Sequence, residues 1–284
     1  MAKRKRRPAK EIDLDIIIPV YGRPDLLQKC LDCIETTKGD INAKLILVDD
    51  KGPKQDELNI IYRSLNGVSQ VIRHTENVGF PKTVNDGIKR GNAALVLILN
   101  TDIELQADAL QIMMAEFDND EVGIVGPKLL FPEDSTDPHR PPGLVQHAGL
   151  GVDFEGRIVH LNIGWPADHP KVNERRELQA ITGACFMVRR KALNTVLKWY
   201  NSNGDPTSGP FNELYGRGTY EDVELCFAAR NQGAKVIYTP KAVAYHYTNA
   251  SVLQDNIGYP TGRNEMIFKA RCGNLLIWDE WKYL

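Results

Sequence analysis

The stretch Asp15-Ile-Ile-Ile-Pro-Val20, followed by Tyr21-Gly-Arg-Pro-Asp25, decides the fold class of this chain. Its first part is a β-branched apolar run ended by a proline and a glycine, which predicts a strand buried on both faces. The Pro-Asp pair then opens a helix that apolar spacing extends to about Thr36. A buried strand followed directly by a helix is the repeating unit of a parallel sheet.

The same alternation continues through the N-terminal half. Further strands are predicted at 44–48, 69–74 and 93–99, and helices at 55–65 and 81–91. This order predicts an α/β fold with a mostly parallel central sheet flanked by helices. Ligands of such sheets bind outside the carboxyl ends of the strands, so the residues after each strand are the first place to look for a site.

The pattern is looser in the C-terminal half. It predicts a helix at 108–118, a long loop at 131–142, strands at 179–190 and 235–238, and a helix at 222–232 between those strands. We therefore expect one domain over 13–250, preceded by a disordered basic tail at 1–12. Residues 251–284, which are aromatic and mixed, are expected to form an extension packed on that domain.

Charge is distributed unevenly. The chain of 284 residues has a formal net charge of -2, but its first ten residues hold six basic side chains and no acid, which leaves -8 on the remainder. Residues 3–10 are either a solvated tail or an electrostatic arm for anionic lipid headgroups or a nucleic-acid backbone.

Acidic residues follow the tail where a secretion signal would be apolar, and the longest apolar runs have the length of strands. These features predict a cytoplasmic protein, peripheral at the inner membrane face if the arm binds lipid. Five cysteines with a single C-x-x-C at 30–33 predict neither a disulfide framework nor a zinc ribbon.

Three predicted strand ends carry polar residues. They are the segments 19–23, 48–50 and 99–102. Asp49 is equally a helix N-cap or a functional acid. Asp102 lies too early to cap the next helix, where Asp108 is better placed, and a carboxylate at that edge suits a divalent cation holding a diphosphate.

Several segments together resemble a family 2 glycosyltransferase of the GT-A fold, in the rhamnosyltransferase-like branch. They occur in the order typical of that family and cover roughly residues 13–250. The matching segments are Ile16-Ile-Ile-Pro-Val-Tyr21, Leu47-Val-Asp-Asp50, Asn77-Val-Gly-Phe80 with Asn85-Asp-Gly87, Leu97-Ile-Leu-Asn-Thr-Asp102, Thr182-Gly-Ala-Cys-Phe-Met-Val-Arg189, and Tyr220-Glu-Asp-Val-Glu-Leu225 with His246. The resemblance implies a Rossmann-like nucleotide-binding half joined to an acceptor half.

The resemblance implies a set of donor-binding residues. Pro19 and Tyr21 would hold the nucleotide base, the tyrosine by stacking, and Asp50 would accept a hydrogen bond from the imide N–H of uracil or thymine. Lys82 would approach the diphosphate, although the family often places an arginine at the position of Val84. The further donor-binding positions are Arg23, Asn77, Gly79, Asn100, Thr101 and Gly183.

The resemblance also implies a Mn²⁺ or Mg²⁺ cofactor and a catalytic base. Asp102 matches the last acid of the family's Asp-x-Asp metal motif, whose first acid is Asn100 here, and His246 matches a histidine that completes the metal or diphosphate site. Asp222 would be the base that takes the proton of the acceptor hydroxyl. Its neighbour Glu221 is a secondary candidate, and both acids also suit the start of a helix.

Other polar residues have less specific roles. The Gly216-Arg217-Gly218 segment is expected to hinge a loop over the donor. Trp165 is a secondary candidate as a platform for a sugar ring. The histidines share no ligand spacing, which predicts surface or acceptor-side positions for His139, His147, His160 and His169.

We therefore expect an inverting hexosyl- or deoxyhexosyl-transferase. It would move a sugar from a UDP- or dTDP-sugar to a hydroxyl of a glycan or lipid-linked acceptor by metal-assisted single displacement, in glycan or surface polysaccharide synthesis. The alternatives are the same chemistry on a modified nucleic-acid base and a sugar-1-phosphate nucleotidyltransferase. The latter needs a glycine-rich phosphate loop with a basic residue after the first strand, which Val20-Tyr-Gly-Arg23 lacks. A binding module without activity does not require Asp102, Asp222 and His246 together.

Overall fold

A computed structural model describes residues 13–65, 69–205, 207–247 and 258–284 of the chain. The basic tail predicted at 1–12 lies outside the described residues, as do the last residues of the domain predicted over 13–250 and the first of the extension predicted at 251–284.

The strands of the described part are β1 (Leu14–Val20), β2 (Ala43–Asp49), β3 (Gln70–Arg73), β4 (Leu95–Leu99), β5 (Ile103–Leu105), β6 (Val122–Leu130), β7 (Val145–His147), β8 (Leu150–Val152), β9 (Ile158–His160), β10 (Arg176–Glu177), β11 (Cys185–Arg189) and β12 (Lys235–His246). The α-helices are α1 (Pro24–Thr37), α2 (Gln55–Ser64), α3 (Phe80–Ile88), α4 (Ala109–Ala115), α5 (Arg190–Ser202), α6 (Glu221–Asn231) and α7 (Thr261–Cys272).

One large sheet organises the molecule. Its strand order is β10-β12-β6-β11-β4-β1-β2-β3, with β5 paired to β12 and β7 to β6. The strands β1 to β4, β6 and β12 run in one direction, while β11 lies antiparallel between β4 and β6. The expected α/β sheet with a parallel majority of strands is confirmed. Four described strands run in the opposite direction, namely β11 near the middle and β5, β7 and β10.

Helices cover both faces of this sheet. Ile16 and Ile18 of β1 pack with α1, α2 and α4 on one face, and Ile17 packs with α3, α5, α6 and α7 on the other. Both faces of β1 are therefore buried, which explains its unbroken apolar sequence. All five cysteines are buried free thiols within these two layers.

The looser pattern of the C-terminal half concealed several elements that the sequence did not predict, and β6 and α5 are the longest of those before β12. Strand β6 contains Gly123, Gly126 and Pro127, residues that disfavour a central strand. A Cβ at Gly126 would lie 2.5 Å from Ile181 Cδ1, so tight packing requires the glycine. Next to Pro127 the register with β12 shifts, which accommodates a residue without an N–H. Strand β12 is also longer than the predicted 235–238 and reaches His246.

The described C-terminal residues 258–284 pack against α6. The ring of Phe268 in α7 meets Phe227 edge to face at 5.4 Å. Arg271 donates to both oxygens of the buried Glu224, at 3.0 and 2.9 Å. These contacts bind α7 to the helix that begins with Glu221 and Asp222.

None of the helices in the described residues is both long enough and apolar enough to cross a membrane.

A buried ion pair ties the start of β1 to α5. Asp15 is 0% exposed, and its Oδ2 accepts hydrogen bonds from Arg190 Nη2 at 2.6 Å and from the amide of Ala93 at 2.8 Å. Gly91 lies against this carboxylate, since a Cβ there would be 2.2 Å from Asp15 Oδ2.

Replacing Arg190 by methionine should therefore lower the free energy of unfolding by about 3–5 kcal/mol, because it leaves a buried carboxylate without its cation. Urea denaturation at pH 7 measures the change. Arg175→Met is the matched control, since Arg175 pairs with Glu116 while half exposed, and its loss should cost about 1 kcal/mol or less. Equal effects of the two variants would contradict this account of the Asp15 pair.

Candidate active site

A cleft of about 290 Å³ opens at the carboxyl edge of the parallel strands. Most predicted site residues meet there, although they are distant in the sequence. The cleft is lined by Pro19, Val20, Tyr21, Asp50, Asn77, Gly79, Phe80, Thr83, Asn100, Thr101, Asp102, Thr182, Gly183, Ala184, Arg217, Gly218, Thr219, Glu221, Asp222, His246 and Tyr259.

Asp102 and His246 face each other in this cleft. The antiparallel pairing of β5 with β12 places His246 opposite Ile103, and the amide of Tyr247 donates to the carbonyl of Asp102 at 2.9 Å. The side chains approach to 3.4 Å between His246 Nε2 and Asp102 Oδ1. Burial raises the pKa of Asp102, but His246, a backbone hydrogen bond and the charge of Arg23 together keep this pKa below the ordinary value.

The ring nitrogen of His246 that points away from Asp102 has its own partner. His246 Nδ1 lies 3.1 Å from Gln146 Oε1, an acceptor, which suits a hydrogen on Nδ1, while Nε2 faces Asp102. Metal-binding histidines are commonly oriented by such a second hydrogen bond.

The side chains around Asp102 suit a divalent cation whose coordination is completed by a bound ligand. Besides Asp102 and His246, the cleft contains Asn100, whose buried Oδ1 has no hydrogen-bond partner among the described residues. No group of three or more His, Cys, Asp or Glu side chains in the described ranges is arranged to hold a metal by itself. A cation here would therefore take its remaining ligands from oxygen atoms of a bound molecule or from water.

Asp222 lies across the cleft at the start of α6. Its Oδ2 accepts the amide of Gly183 at 2.5 Å, and its Oδ1 accepts the amide of Val223 at 2.8 Å. A Cβ at Gly183 would lie 2.7 Å from Asp222 Cβ, so only glycine allows this approach. Burial raises the pKa of Asp222 above its ordinary value, and the bonds from the two amides oppose that effect.

Glu221 is more buried than Asp222, and its carboxyl group forms fewer hydrogen bonds. It is 6% exposed, and its Oε2 has no hydrogen-bond partner among the described residues. Burial and then the charge of Asp222 raise the pKa of Glu221 well above its ordinary value. The two adjacent carboxyls therefore share one enclosed site, which disfavours ionisation of both.

Asp50 is buried at the end of the cleft where the nucleotide base is predicted to bind. There it holds the turn at Val78 and Gly79. Its Oδ1 accepts the amide of Val78 at 2.9 Å and contacts His74 Nδ1 at 2.9 Å, while its Oδ2 accepts the amide of Gly79 at 3.0 Å. Each carboxylate oxygen accepts about two bonds, so Oδ2 retains capacity for a ligand. Asp49 does not cap α2, whose N-cap is Lys54; it instead accepts bonds from Lys51 and Gln55.

Three predicted site residues lie outside the lining of the cleft. Arg23 is engaged with Asp25 through two nitrogens, at 2.9 and 2.6 Å. Lys82 forms an ion pair with Asp86, one turn further along α3. Trp165 is half buried against the core and stacks edge to face on His169 at 4.5 Å.

His147 is 1% exposed, so the predicted surface position is wrong for this residue. Its Nδ1 lies 2.9 Å from His160 Nδ1, and its Nε2 faces the amide of Thr182 at 3.4 Å, beside Gly183. Burial, followed by the charges of His160 and His246, holds the pKa of His147 well below its usual range, so the ring is neutral. His147 therefore supports the turn that contacts Asp222.

Sequence reasoning also missed cleft residues. Tyr259 belongs to no matched segment, and Arg217 was assigned only to a hinge. Gln146, which contacts the cleft residue His246, also lies outside the matched segments. The sequence did contain a signal for Arg217. The predicted site residues hold more acidic than basic side chains, and a negatively charged diphosphate would need a further positive one.

Solved structures share the fold. The crystal structure of GalNAc-T7 with UDP, GalNAc and Mn²⁺ superposes with a TM-score of 0.64 at 15% identity, covering 82% of this chain and 43% of that one. The mannosyltransferase PcManGT from Pyrobaculum calidifontis, in complex with GDP-Man and Mn²⁺, gives a TM-score of 0.57 at 14% identity over 87% of this chain and 61% of that one. The fold is therefore the GT-A fold.

Two curated relatives are similar along most of the chain, and a third along about one third of it. An uncharacterized protein, y4gI, of Sinorhizobium fredii (strain NBRC 101917 / NGR234) is 27% identical over 84% of this chain and 25% of its own length. The O-antigen biosynthesis protein RfbC of Myxococcus xanthus is 26% identical over 86% of this chain and 18% of its own. The poly(ribitol-phosphate) beta-glucosyltransferase of Bacillus spizizenii (strain ATCC 23059 / NRRL B-14472 / W23) is 34% identical over 34% of this chain and 16% of its own. The chain thus spans a quarter or less of each relative.

The family assignment follows from the match to a family model. The family described as glycosyl transferase family 2 covers residues 15–197, from β1 into α5, which is more than half of the chain. This chain belongs to glycosyl transferase family 2 and has the GT-A fold.

Proposed function

We propose that this enzyme is an inverting, metal-assisted transferase that moves a hexosyl or deoxyhexosyl group from a UDP- or dTDP-sugar to a hydroxyl of a glycan or lipid-linked acceptor. The observation that carries the proposal is the arrangement of one cleft. Asp102 and His246 approach to 3.4 Å in that cleft, and Asp222 lines it as well. A leaving group and an attacking hydroxyl require these two kinds of group at one site.

The residues Asp102, His246 and Asn100 would hold Mn²⁺ or Mg²⁺ together with the donor's diphosphate. When bound, the cation supplies positive charge against the negative charge that grows on the leaving diphosphate. Gln146 orients His246 for this purpose through its Nδ1.

Asp222 acts as the general base. In a single displacement the acceptor oxygen forms a bond to the anomeric carbon as the bond from that carbon to the diphosphate oxygen breaks. The acceptor proton passes to Asp222, and the electron pair of the broken bond leaves with the nucleoside diphosphate. The amides of Gly183 and Val223 hold the carboxylate in place.

The nucleotide base lies near Tyr21 and Asp50 in this proposal. Asp50 Oδ2 accepts one protein amide and keeps a lone pair for an imide N–H. Gly52 fits closely against the loop after β1, since a Cβ there would be 2.8 Å from Tyr21 Cα. This contact fixes the backbone from which the tyrosine stacks.

The acceptor class is supported by the names of the relatives. One is an O-antigen biosynthesis protein and another transfers glucose to poly(ribitol phosphate). Both names point to hydroxyl groups of surface polymers.

The direct test is a panel of UDP-, dTDP- and GDP-sugars with Mn²⁺, scored by thermal shift and donor hydrolysis. We expect a uridine or thymidine donor to raise the melting temperature, and the rise should depend on Mn²⁺. The variant Asp102→Asn should lose the metal-dependent part. A response to GDP-sugars alone would refute the assignment of the base, and no response to any donor would refute the proposed function.

Asp222→Asn should reduce transfer by about 10²–10⁴-fold while leaving donor affinity unchanged, because an amide cannot take the acceptor's proton. Steady-state kcat and calorimetric Kd for the donor separate these effects. The matched control is Asp108→Asn, an exposed aspartate whose side chain makes no capping bond to α4. Normal turnover of the Asp222 variant would remove it from the role of base.

Glu221→Gln should raise the free energy of unfolding at pH 7. The pKa of Glu221 is raised by burial and by Asp222, so the folded state keeps a proton that the unfolded chain releases. Stability must then fall as pH rises above the ordinary pKa of 4.5. The amide abolishes this dependence, and the gain should vanish below that pH.

Urea denaturation from pH 4 to 8 measures the difference between wild type and Glu221→Gln. Glu57→Gln, an exposed substitution in α2, is the control and should show no pH-dependent difference. A gain for Glu221→Gln that is constant across this range would show that the carboxyl titrates normally.

A further inference from the structure

The cleft has few cations for a ligand as negative as a diphosphate. Four acidic residues line it: Asp50, Asp102, Glu221 and Asp222. The family position that often holds an arginine is occupied by the fully buried Val84. Lys82 and Arg23, the basic residues expected near the donor, are paired with Asp86 and Asp25.

Arg217 is the one lysine or arginine among the cleft-lining residues in the part of the chain that the structure describes. Its side chain is exposed, and it forms no hydrogen bond or ion pair with another described residue. Its charge is nevertheless felt inside the cleft, since it opposes the rise in the pKa of Tyr259 that burial causes there. An unpaired guanidinium facing a cleft can bind an anion without first giving up a protein partner.

The backbone of Arg217 is fixed against the opposite wall of the cleft. A Cβ at Gly79 would lie 2.1 Å from the carbonyl oxygen of Gly216 and 3.2 Å from the amide nitrogen of Arg217. Gly79 is itself held by the bond from its amide to Asp50. The peptide that bears Arg217 therefore rests directly on the turn before α3.

The loop around Arg217 is strained. Gly216 and Gly218 have positive φ angles of 60° and 123°, and Thr219 and Tyr220 follow with 77° and 72°. Positive φ is costly for a β-branched residue and persists only where the surroundings enforce it.

Asn264, in the first turn of α7, holds this strained loop in its conformation. It is 0% exposed, and its Nδ2 faces the carbonyls of Tyr215, Gly218 and Thr219 at 3.0, 2.7 and 3.2 Å. The neighbouring Arg263 donates to the carbonyl of Leu214 at 3.1 Å. One buried amide thus holds the backbone on both sides of Arg217.

We propose that Arg217 binds the diphosphate of the nucleotide-sugar donor, and that Asn264 is the positioning residue that presents it. This inference rests on the proposed function and extends it to residues outside the segments that matched the family. A guanidinium binds two phosphate oxygens through parallel N–H groups and stays charged at all working pH values. It would therefore share with the metal site the charge of the departing diphosphate.

The test measures Kd by calorimetry for UDP, dTDP and GDP with Mn²⁺, and binding of the parent nucleosides by saturation-transfer NMR. Arg217→Ala should weaken binding of the nucleoside diphosphate that the wild type binds, by about tenfold or more in Kd. Binding of the nucleoside should not change. Arg63→Ala, an exposed arginine of α2, is the control and should behave as wild type.

Asn264→Ala should weaken binding of the same diphosphate to a similar extent, again without affecting binding of the nucleoside. The double variant should be no weaker than Arg217→Ala alone, because Asn264 acts through Arg217. A variant that merely loosened the domain would weaken both ligands. If Asn264→Ala does not fold, Asn264→Ser, which keeps one donor, replaces it in the cycle.

The outcomes separate the two proposals. If the wild type binds a nucleoside diphosphate and Arg217→Ala binds it equally well, the role of Arg217 is refuted and the proposed function stands. If the wild type binds none of the three diphosphates, both proposals are refuted. If Asn264→Ala weakens binding further in a chain that already lacks Arg217, Asn264 is a general structural residue and its positioning role is refuted.

Discussion

The pairing of β12 with β5 is the contact on which the site depends. Strand β12 runs beside β6 and then pairs with β5 at its end, where the amide of Tyr247 meets the carbonyl of Asp102. Asp102 follows the N-terminal parallel strands, whereas His246 comes from the last strand of the described domain. Their approach to 3.4 Å therefore exists only when the two halves of the sheet are joined.

Contacts at glycines then close the cleft. Gly79 leaves room for the peptide between Gly216 and Arg217, and Gly183 leaves room for Asp222. A Cβ at either glycine would overlap with these neighbours. Loops that pack this closely have few alternative positions, so the residues they carry are held with little conformational freedom. The same packing makes the cleft sensitive to distant support, since α7 reaches it through Asn264 and the neutral His147 reaches it through Thr182.

The N-terminal half could be predicted from the sequence because β1 and β4 are almost entirely buried and each helix has a clear start. The ends of β1, β2 and β4 then located most of the cleft. Strand β6 was missed because its glycines and proline are packing adaptations to neighbours such as Ile181, which no local pattern reveals. Arg217 was underestimated for a related reason, since its place in the cleft comes from contacts with Gly79 and Asn264 that are remote in sequence. Conversely, Lys82 and Arg23 were expected at the donor, but each has an acid close by in the sequence, which the structure shows as its partner.

The carboxyl pair at the start of α6 shows how packing sets chemistry. Most of α6 is buried, from Val223 to Ala229, so its first turn is held as firmly as the core. Placing two acids there costs stability, because burial opposes the ionisation that a helix N-terminus favours. Asp222 offsets part of that cost through two backbone amides, whereas Glu221 does not and keeps its proton more strongly. The carboxyl with the bonded oxygens is therefore the easier of the two to ionise. Its neighbour serves better as a neutral hydrogen-bonding group, and the difference arises from which of the two lies against Gly183.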